Sequence, residues 1–276
     1  MSVVRDILVF SATRQVASAW RIVKVASVAA SCFLSTGHFD AAAQTIRAVE
    51  HRESIQSYAV VEPDHPARAV LLLFVGGDGN LQLQQRGALR SENVLFRISG
   101  SLRAAGMRLI YADRPTGEFS RSDMPYARAA ERMLARENAQ KLPVFALGIS
   151  RGTISAVNVG ARLPLAGLIL LSTVTGSTFD RTIYDVPVAD VTAPSLLILH
   201  RQDACVSSKS ESSLKSFASR TNRSTATIVV LDGGMDEAPG GGRAASCHPK
   251  SYHGFNGIDD DVAHAIMSWI DDVLRR

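Results

Sequence analysis

Ser150 stands in the segment Gly148-Ile-Ser-Arg-Gly152, directly after the apolar run Pro143–Leu147 and directly before a run of small residues. A serine with a glycine two positions away on either side, between a strand and a helix, suits a nucleophile held on a sharp turn. The glycines remove side chains that would collide with the neighbouring strand or helix, and the turn lifts the hydroxyl clear of the sheet edge. The same turn aims the backbone N–H of Arg151, and the N-terminus of the following helix, at negative charge developing on a reacting carbonyl oxygen. The chemistry within reach of these residues is attack of Ser150 on a carbonyl carbon.

Such an attack needs a second oxyanion donor, a base and an acid. Phe74-Val-Gly-Gly-Asp-Gly-Asn80 follows the most hydrophobic run of the chain, and its glycines let backbone N–H groups approach a substrate oxygen closely. Either Gly77 or Asp78 is the expected donor; the plain alternative is a Gly-Asp-Gly turn. His253, in Tyr252-His-Gly-Phe255, is the expected base and later general acid, with His248 as its rival. Asp203 follows directly on the apolar run Ser195–His200. It is the expected acid, holding the imidazole in one tautomer and stabilising the imidazolium. Asp232 and Asp236 compete with it, and an ordinary turn aspartate is the alternative reading.

These residues need elements to position them, and apolar runs alternate with amphipathic segments along the chain. Strands are expected at Ser57–Val61, Ala69–Val75, Met107–Ala112, Pro143–Leu147, Ala166–Ser172, Ser195–His200 and Ala226–Leu231. Helices are expected at Asn93–Ala105, Tyr126–Gln140, Gly152–Leu163, Ser210–Ser219 and Asp259–Leu274. Runs apolar on every position, such as Ala69–Val75, indicate strands buried on both faces. The alternation predicts an α/β fold: a mainly parallel central sheet with helices on both faces. The stretch Thr173–Ala193 is long enough for a small flap but too short for a large cap domain. Asp113-Arg-Pro115 ends a strand and either lines the site or is structural. Asp259-Asp-Asp261 reads as the first turn of the last helix, where acids complement the dipole.

With Ser150, Asp203 and His253 in that chain order, and a glycine-rich loop after the strand Ala69–Val75, the sequence resembles the α/β-hydrolase superfamily over roughly residues 55–276. The contexts Asp-Ala-Cys-Val at 203–206 and Tyr-His-Gly-Phe at 252–255 resemble exported bacterial hydrolases. The resemblance implies a serine hydrolase that cleaves carboxylic esters through an acyl-enzyme, with a small-molecule ester as partner and no cofactor. The sequence departs from many relatives in its loop Gly76-Gly-Asp-Gly79, which lacks their His-Gly pair and leaves the second donor open between Gly77 and Asp78. A serine peptidase or amidase on the same fold would use the same residues. A secreted binding protein that kept the fold without the chemistry would not need all of them.

Residues 1–43 read as an export signal. Arg21 and Lys24 precede the small apolar run Val25–Leu34, and Ala41-Ala-Ala43 followed by Gln44 suits signal peptidase. The alternative is an amphipathic N-terminal helix. The apolar run is too short to span a bilayer, so no stable membrane insertion is expected after cleavage. Ala29-Ala-Ser-Cys32 only loosely resembles a lipidation site, having Ala rather than Leu three positions before the cysteine. The remaining 44–276 is expected to be one domain. Of three cysteines, Cys205 and Cys247 stay behind. In an oxidising compartment they can bridge, tying the loop of Asp203 to the loop of His253; the alternative is two buried free thiols.

The composition of the 276 residues, 46% hydrophobic and 20% charged, is that of a globular chain. Its net charge is +4, and residues 1–43 supply four basic groups against two acidic ones, so little remains on the rest. The basic residues are scattered, with no run that would track phosphates, which argues against a nucleic-acid partner. His200 and Asp203 could be imagined as a metal pair, but no third ligand is suitably spaced, and no metal is expected. No feature fixes an oligomeric state.

Overall fold

The computed structural model describes residues 6–11, 44–51, 54–89, 91–117, 120–176, 181–208, 210–221 and 225–276. Its strands are β1 (Asp6–Ser11), β2 (Gln44–His51), β3 (Ser54–Val61), β4 (Ala69–Phe74), β5 (Met107–Ala112), β6 (Val144–Ile149), β7 (Gly167–Leu171), β8 (Ser195–His200) and β9 (Thr225–Leu231). They form one sheet in the order β1-β9-β8-β7-β6-β4-β5-β3-β2. From β5 to β9 neighbouring strands are parallel, whereas β3 runs antiparallel to β5, β2 to β3, and β1 to β9. The helices are α1 (Leu83–Arg86), α2 (Val94–Arg97), α3 (Ser99–Ala104), α4 (Met124–Glu137), α5 (Gly152–Gly160), α6 (Glu211–Arg220), α7 (Arg243–Ser246) and α8 (Asp259–Leu274).

Period-two alternation divides each central strand between two cores. Leu71, Leu73, Phe145, Leu147, Ile169 and Ile198 pack with α2, α3 and α8 on one face. Val70, Leu72, Ala146, Leu168, Leu170 and Leu197 pack with α4, α5 and α6 on the other. Both faces are dry, so the inner strands are apolar throughout, and the expected α/β fold with helices on both faces is what forms.

Several elements differ from expectation. The helix expected at Asn93–Ala105 is broken at Ile98 into α2 and α3. The Asn93 side chain accepts the Leu95 N–H at 3.0 Å and caps α2, while the Ser99 hydroxyl takes the Phe96 carbonyl, a local bond that competes with a continuous helix. Strand β2 pairs at the sheet edge and bears no clean apolar alternation. Strand β1 adds to the other edge and falls inside the stretch read as an export signal; the segment 12–43, with the apolar run, Cys32 and Ala41–Ala43, lies outside the described residues. The described part of 173–193 is not a free flap: Val174, Ile183, Val186, Val188 and Val191 are buried in the core over α5. Among the described residues no helix is long and apolar enough to cross a membrane.

A polar tie joins the edge strands to α4. The buried Glu137 carboxylate accepts from Tyr58 Oη at 2.7 Å and from Arg47 Nη1 at 2.8 and 2.7 Å. Burial and this carboxylate both push the Tyr58 phenol above its ordinary pKa. Glu137→Ala leaves the Tyr58 hydroxyl buried without an acceptor. It is expected to lower unfolding free energy by about 2–3 kcal/mol in urea denaturation. A midpoint equal to that of the wild type would show that the tie contributes nothing.

Candidate active site

The turn after β6 is set by close backbone contact. A Cβ on Gly148 would lie 2.5 Å from the Gly152 carbonyl oxygen, and one on Gly152 would lie 2.0 Å from the Phe74 carbonyl oxygen, so both positions exclude any larger residue. Between them Ser150 adopts the left-handed region at φ 52°. A non-glycine residue is held there only where its surroundings over-determine it, at a cost of about 1–3 kcal/mol. Here the Ser150 N–H donates to Leu171 O at 3.0 Å. Its carbonyl accepts from the Thr153 N–H at 2.9 Å and from Thr153 Oγ1 at 2.7 Å.

The loop 76–79 lies against this turn: a Cβ on Gly76 would be 3.1 Å from Ser150 Cβ and 3.7 Å from its Oγ. Gly77 is left-handed at φ 59°, and the loop closes through Gly79 N–H to Gly76 O at 3.2 Å. The backbone N–H groups of Gly77, Asp78 and Arg151 have no acceptor among the described residues, so each is free to donate.

Asp203 and His253 are joined. His253 Nδ1 lies 3.0 Å from Asp203 Oδ2 and 3.2 Å from Oδ1, with both side chains buried. Asp203 Oδ1 also accepts the Cys205 N–H at 2.8 Å, which fixes the carboxylate. With Nδ1–H given to Asp203, the lone pair of the imidazole sits on Nε2. Nε2 is buried and has no hydrogen-bond partner, so no Ser150–His253 hydrogen bond is formed in this structure. The two residues are nonetheless tied to consecutive positions of one segment: Ser150 N–H holds Leu171 O, and Ser172 Oγ donates to the His253 carbonyl at 2.7 Å.

The rival residues are engaged elsewhere. Asp232 pairs with Arg201 Nε at 3.0 Å, and the exposed Asp236 caps the Ala238 N–H at 3.1 Å. His248 Nδ1 accepts the Lys250 N–H at 3.1 Å. Asp113 is an anchor: its carboxylate accepts from the N–H groups of Leu81, Leu83 and Arg114 at 2.6, 2.8 and 2.7 Å. Asp259 opens α8 and pairs with Arg97 at 2.9 Å; burial raises its pKa, and Arg97 opposes the rise.

Other side chains at the site carry no signature in the sequence. Ser208 Oγ sits 3.1 Å from His253 Nδ1 and donates to Ser172 O at 3.1 Å, so it shares the Nδ1 proton as an acceptor. Arg97 Nη2 donates to Gly254 O at 2.8 Å and to Phe255 O at 3.3 Å, gripping the turn that carries His253. Arg121, buried, donates to carbonyls of the loop 75–77. Ordinary residue types do this work through long-range contacts, and spacing along the chain gives no sign of it.

Cys205 and Cys247 form a disulfide, two residues after Asp203 and six before His253. It closes a separation of 42 residues, worth up to about 4 kcal/mol in the chain-entropy model. His200 is a second brace. Nδ1 accepts the Gln202 N–H at 3.1 Å, Nε2 donates to Gly233 O at 2.9 Å, and the ring stacks on Tyr252 with centroids 4.8 Å apart. Both ring nitrogens are occupied, so the histidine offers no lone pair to a metal.

No protein-family model and no curated protein matches the chain. Solved structures do match. An α/β serine hydrolase homologue from Coxiella burnetii shares 12% identity at a TM-score of 0.57, over 81% of this chain and 96% of that one. A lid-less α/β serine hydrolase from Xanthomonas campestris shares 14% identity at 0.55, over 82% and 94%. A thermostable carboxyl esterase from Bacillus coagulans, bound to glycerol, shares 12% at 0.55, over 84% and 99%. The chain therefore has the α/β-hydrolase fold.

Two outcomes follow for the braces. The Cys205→Ala/Cys247→Ala variant is expected to lose up to about 4 kcal/mol of unfolding free energy, and reduction of the wild type should cost the same; an unchanged denaturation midpoint in both would refute the brace. For His200, burial is the largest cause of a lowered pKa, opposed by the Gly233 bond. The unfolded chain therefore takes up the proton first as pH falls through about 6.5. Stability from neutral His200 is full above that pH and is lost as pH falls toward the depressed folded value. Between pH 7.5 and 5.5 the wild type should lose more stability than His200→Phe, and equal losses would sink the assignment.

Proposed function

We propose that the chain is a serine hydrolase that cleaves carboxylic esters, with Ser150 as nucleophile, His253 as base and Asp203 as acid. One observation carries the reading: a buried Asp203–His253 pair leaves Nε2 unpartnered, and its backbone is tied to Ser172, next to the Leu171 carbonyl that holds a Ser150 strained to φ 52°. A buried lone pair without a partner is costly, and a proton-accepting role accounts for it. The fold neighbours lend support at fold level, since several are serine hydrolases or esterases.

In this reading Ser150 Oγ attacks the ester carbonyl carbon while His253 Nε2 takes its proton. The carbonyl oxygen becomes an oxyanion and receives the N–H of Arg151 and that of Gly77 or Asp78. Asp203 remains ionised and stabilises the imidazolium. The intermediate collapses as His253 returns the proton to the leaving alkoxide, and the acyl group stays on Ser150. Water then attacks, activated by His253, and releases the acid. No step calls for a cofactor or metal. We assign the chain to an exported, periplasmic or secreted location, since the disulfide suits an oxidising compartment, with residues 1–43 as the export signal and 44–276 as the hydrolase domain; the edge strand β1 then leaves with the signal, and β9 becomes the sheet edge.

Ser150→Ala should reduce kcat on p-nitrophenyl butyrate by at least about 10⁴-fold, with an unchanged circular dichroism spectrum. A fluorophosphonate should add its mass to Ser150 in the wild type alone. Ester turnover retained by the variant would overturn the mechanism. Labelling of Ser150 with turnover of peptide amides but not esters would move the assignment to a peptidase, and no labelling at all would favour a binding protein.

A further inference from the structure

We infer that Arg121 is the positioning residue of the oxyanion loop, an assignment that rests on the ester-hydrolase reading for its catalytic consequence. Arg121 is buried, in the segment before α4. Its Nη2 donates to three consecutive carbonyls, Val75 at 3.0 Å, Gly76 at 3.4 Å and Gly77 at 3.2 Å. Its Nη1 donates to Ser155 Oγ at 3.1 Å, on the helix that the nucleophile opens. Its own carbonyl accepts from Asn158 Nδ2 at 2.8 Å, one turn further along the same buried helix. One guanidinium thus spans from the nucleophile's helix to the glycine loop.

The consequence comes from peptide geometry. In a planar trans peptide the carbonyl of one residue and the N–H of the next point in opposite directions. Carbonyls of Val75, Gly76 and Gly77 drawn to one side by Arg121 turn the N–H groups of Gly76, Gly77 and Asp78 to the other. Ser150 lies against the same loop, since the Cβ direction of Gly76 meets Ser150 Cβ at 3.1 Å. The left-handed conformation of Gly77 is of the kind that lets neighbouring N–H groups converge into an anion-binding concavity. A glycine loop has no side chains with which to hold such an arrangement, and glycine has the most conformational freedom to lose. The guanidinium supplies the missing restraint from behind. Its fork of donors is what a lysine cannot reproduce, since an ammonium is a point charge on a flexible stem. Gly79 marks how tightly the loop wraps this group: a Cβ there would lie 2.5 Å from Arg121 Nη2.

The test compares Arg121→Lys, Arg121→Met and Ser155→Ala with wild type, each checked for its thermal midpoint. Ser155→Ala removes one anchor of the guanidinium with little change of volume and serves if the Arg121 variants do not fold. Hydrogen exchange of the peptide covering 74–82 should be faster in each folded variant, with exchange in the central strands unchanged. On p-nitrophenyl butyrate, Arg121→Lys is expected to lose about 10²-fold in kcat, the scale of a lost oxyanion donor, with KM within about threefold and inhibition by phenylboronic acid weakened in parallel. Ser155→Ala should move the same way by a smaller factor. A merely structural role would lower the thermal midpoint without splitting kcat from KM. Wild-type exchange in 74–82 together with wild-type kcat in the folded variants would overturn the inference. If the wild type turns over no ester, the hydrolase reading fails by itself, and the exchange result alone then decides whether Arg121 holds the loop.

Discussion

The backbone crossing at Gly148 and Gly152 is the contact on which the other parts depend. The start of α5 presses so closely on the end of β4 that a single methyl group at Gly152 would lie 2.0 Å from Phe74 O. That approach brings the end of β6 and the loop after β4 into one place, so that Ser150 and Gly76 meet. Substituting either glycine would push α5 off the sheet, and Ser155 and Asn158 would move with it. Ser150, the glycine loop after β4 and the buried Arg121 share this one close approach.

Around the crossing, guanidinium groups hold turns that backbone pairing cannot. Arg97 and Arg121 each donate to carbonyls of a short turn: one grips Gly254 and Phe255, the other Val75 to Gly77. A buried carbonyl needs a donor, and local N–H groups reach only some of these carbonyls: Gly79 N–H donates to Gly76 O at 3.2 Å and Ile258 N–H to Phe255 O at 3.3 Å. Arginine reaches several acceptors with one fixed fork, and it stays charged when burial lowers its pKa, as it does for Arg121.

How far the site is legible in the sequence follows from the range of the contacts involved. Ser150 is announced by its glycines because they stand two residues to either side of it, although what excludes a side chain at Gly152 is the distant Phe74 carbonyl. The inner strands, such as β4, are legible because burial on both faces leaves one residue class at every position. Asp203, His253 and the Cys205–Cys247 pair can be read from chain order and spacing, and the structure brings all four together. Strand β2 is obscure because an edge strand needs no apolar alternation, and the break at Ile98 depends on one serine hydroxyl finding the Phe96 carbonyl. Arg97, Arg121, Ser172 and Ser208 are obscure for a different reason. Each acts on a segment tens of residues away or more, so nothing near it in sequence marks it out.

The anchors are distributed according to what local structure cannot provide. Ser150 sits between a strand and a helix, and two hydrogen-bonded groups of its own backbone fix it. His253 sits in the long connection between β9 and α8, where the only regular structure is the short α7 and a single 3-10 turn at Tyr252–Gly254. It gathers a correspondingly larger set of restraints. Ser172 holds its carbonyl, Ser251 Oγ accepts its N–H at 3.2 Å, Arg97 holds the two carbonyls that follow, and Asp203 and Ser208 meet its Nδ1. His200 stacks on its neighbour Tyr252, and the disulfide fastens its loop to that of Asp203. Loop ordering costs roughly 1–2 kcal/mol per residue in backbone entropy, so no single bond could hold this segment. His253 is fixed because many modest contacts converge on a few residues, and Nε2 is the one polar atom of its ring that none of them takes.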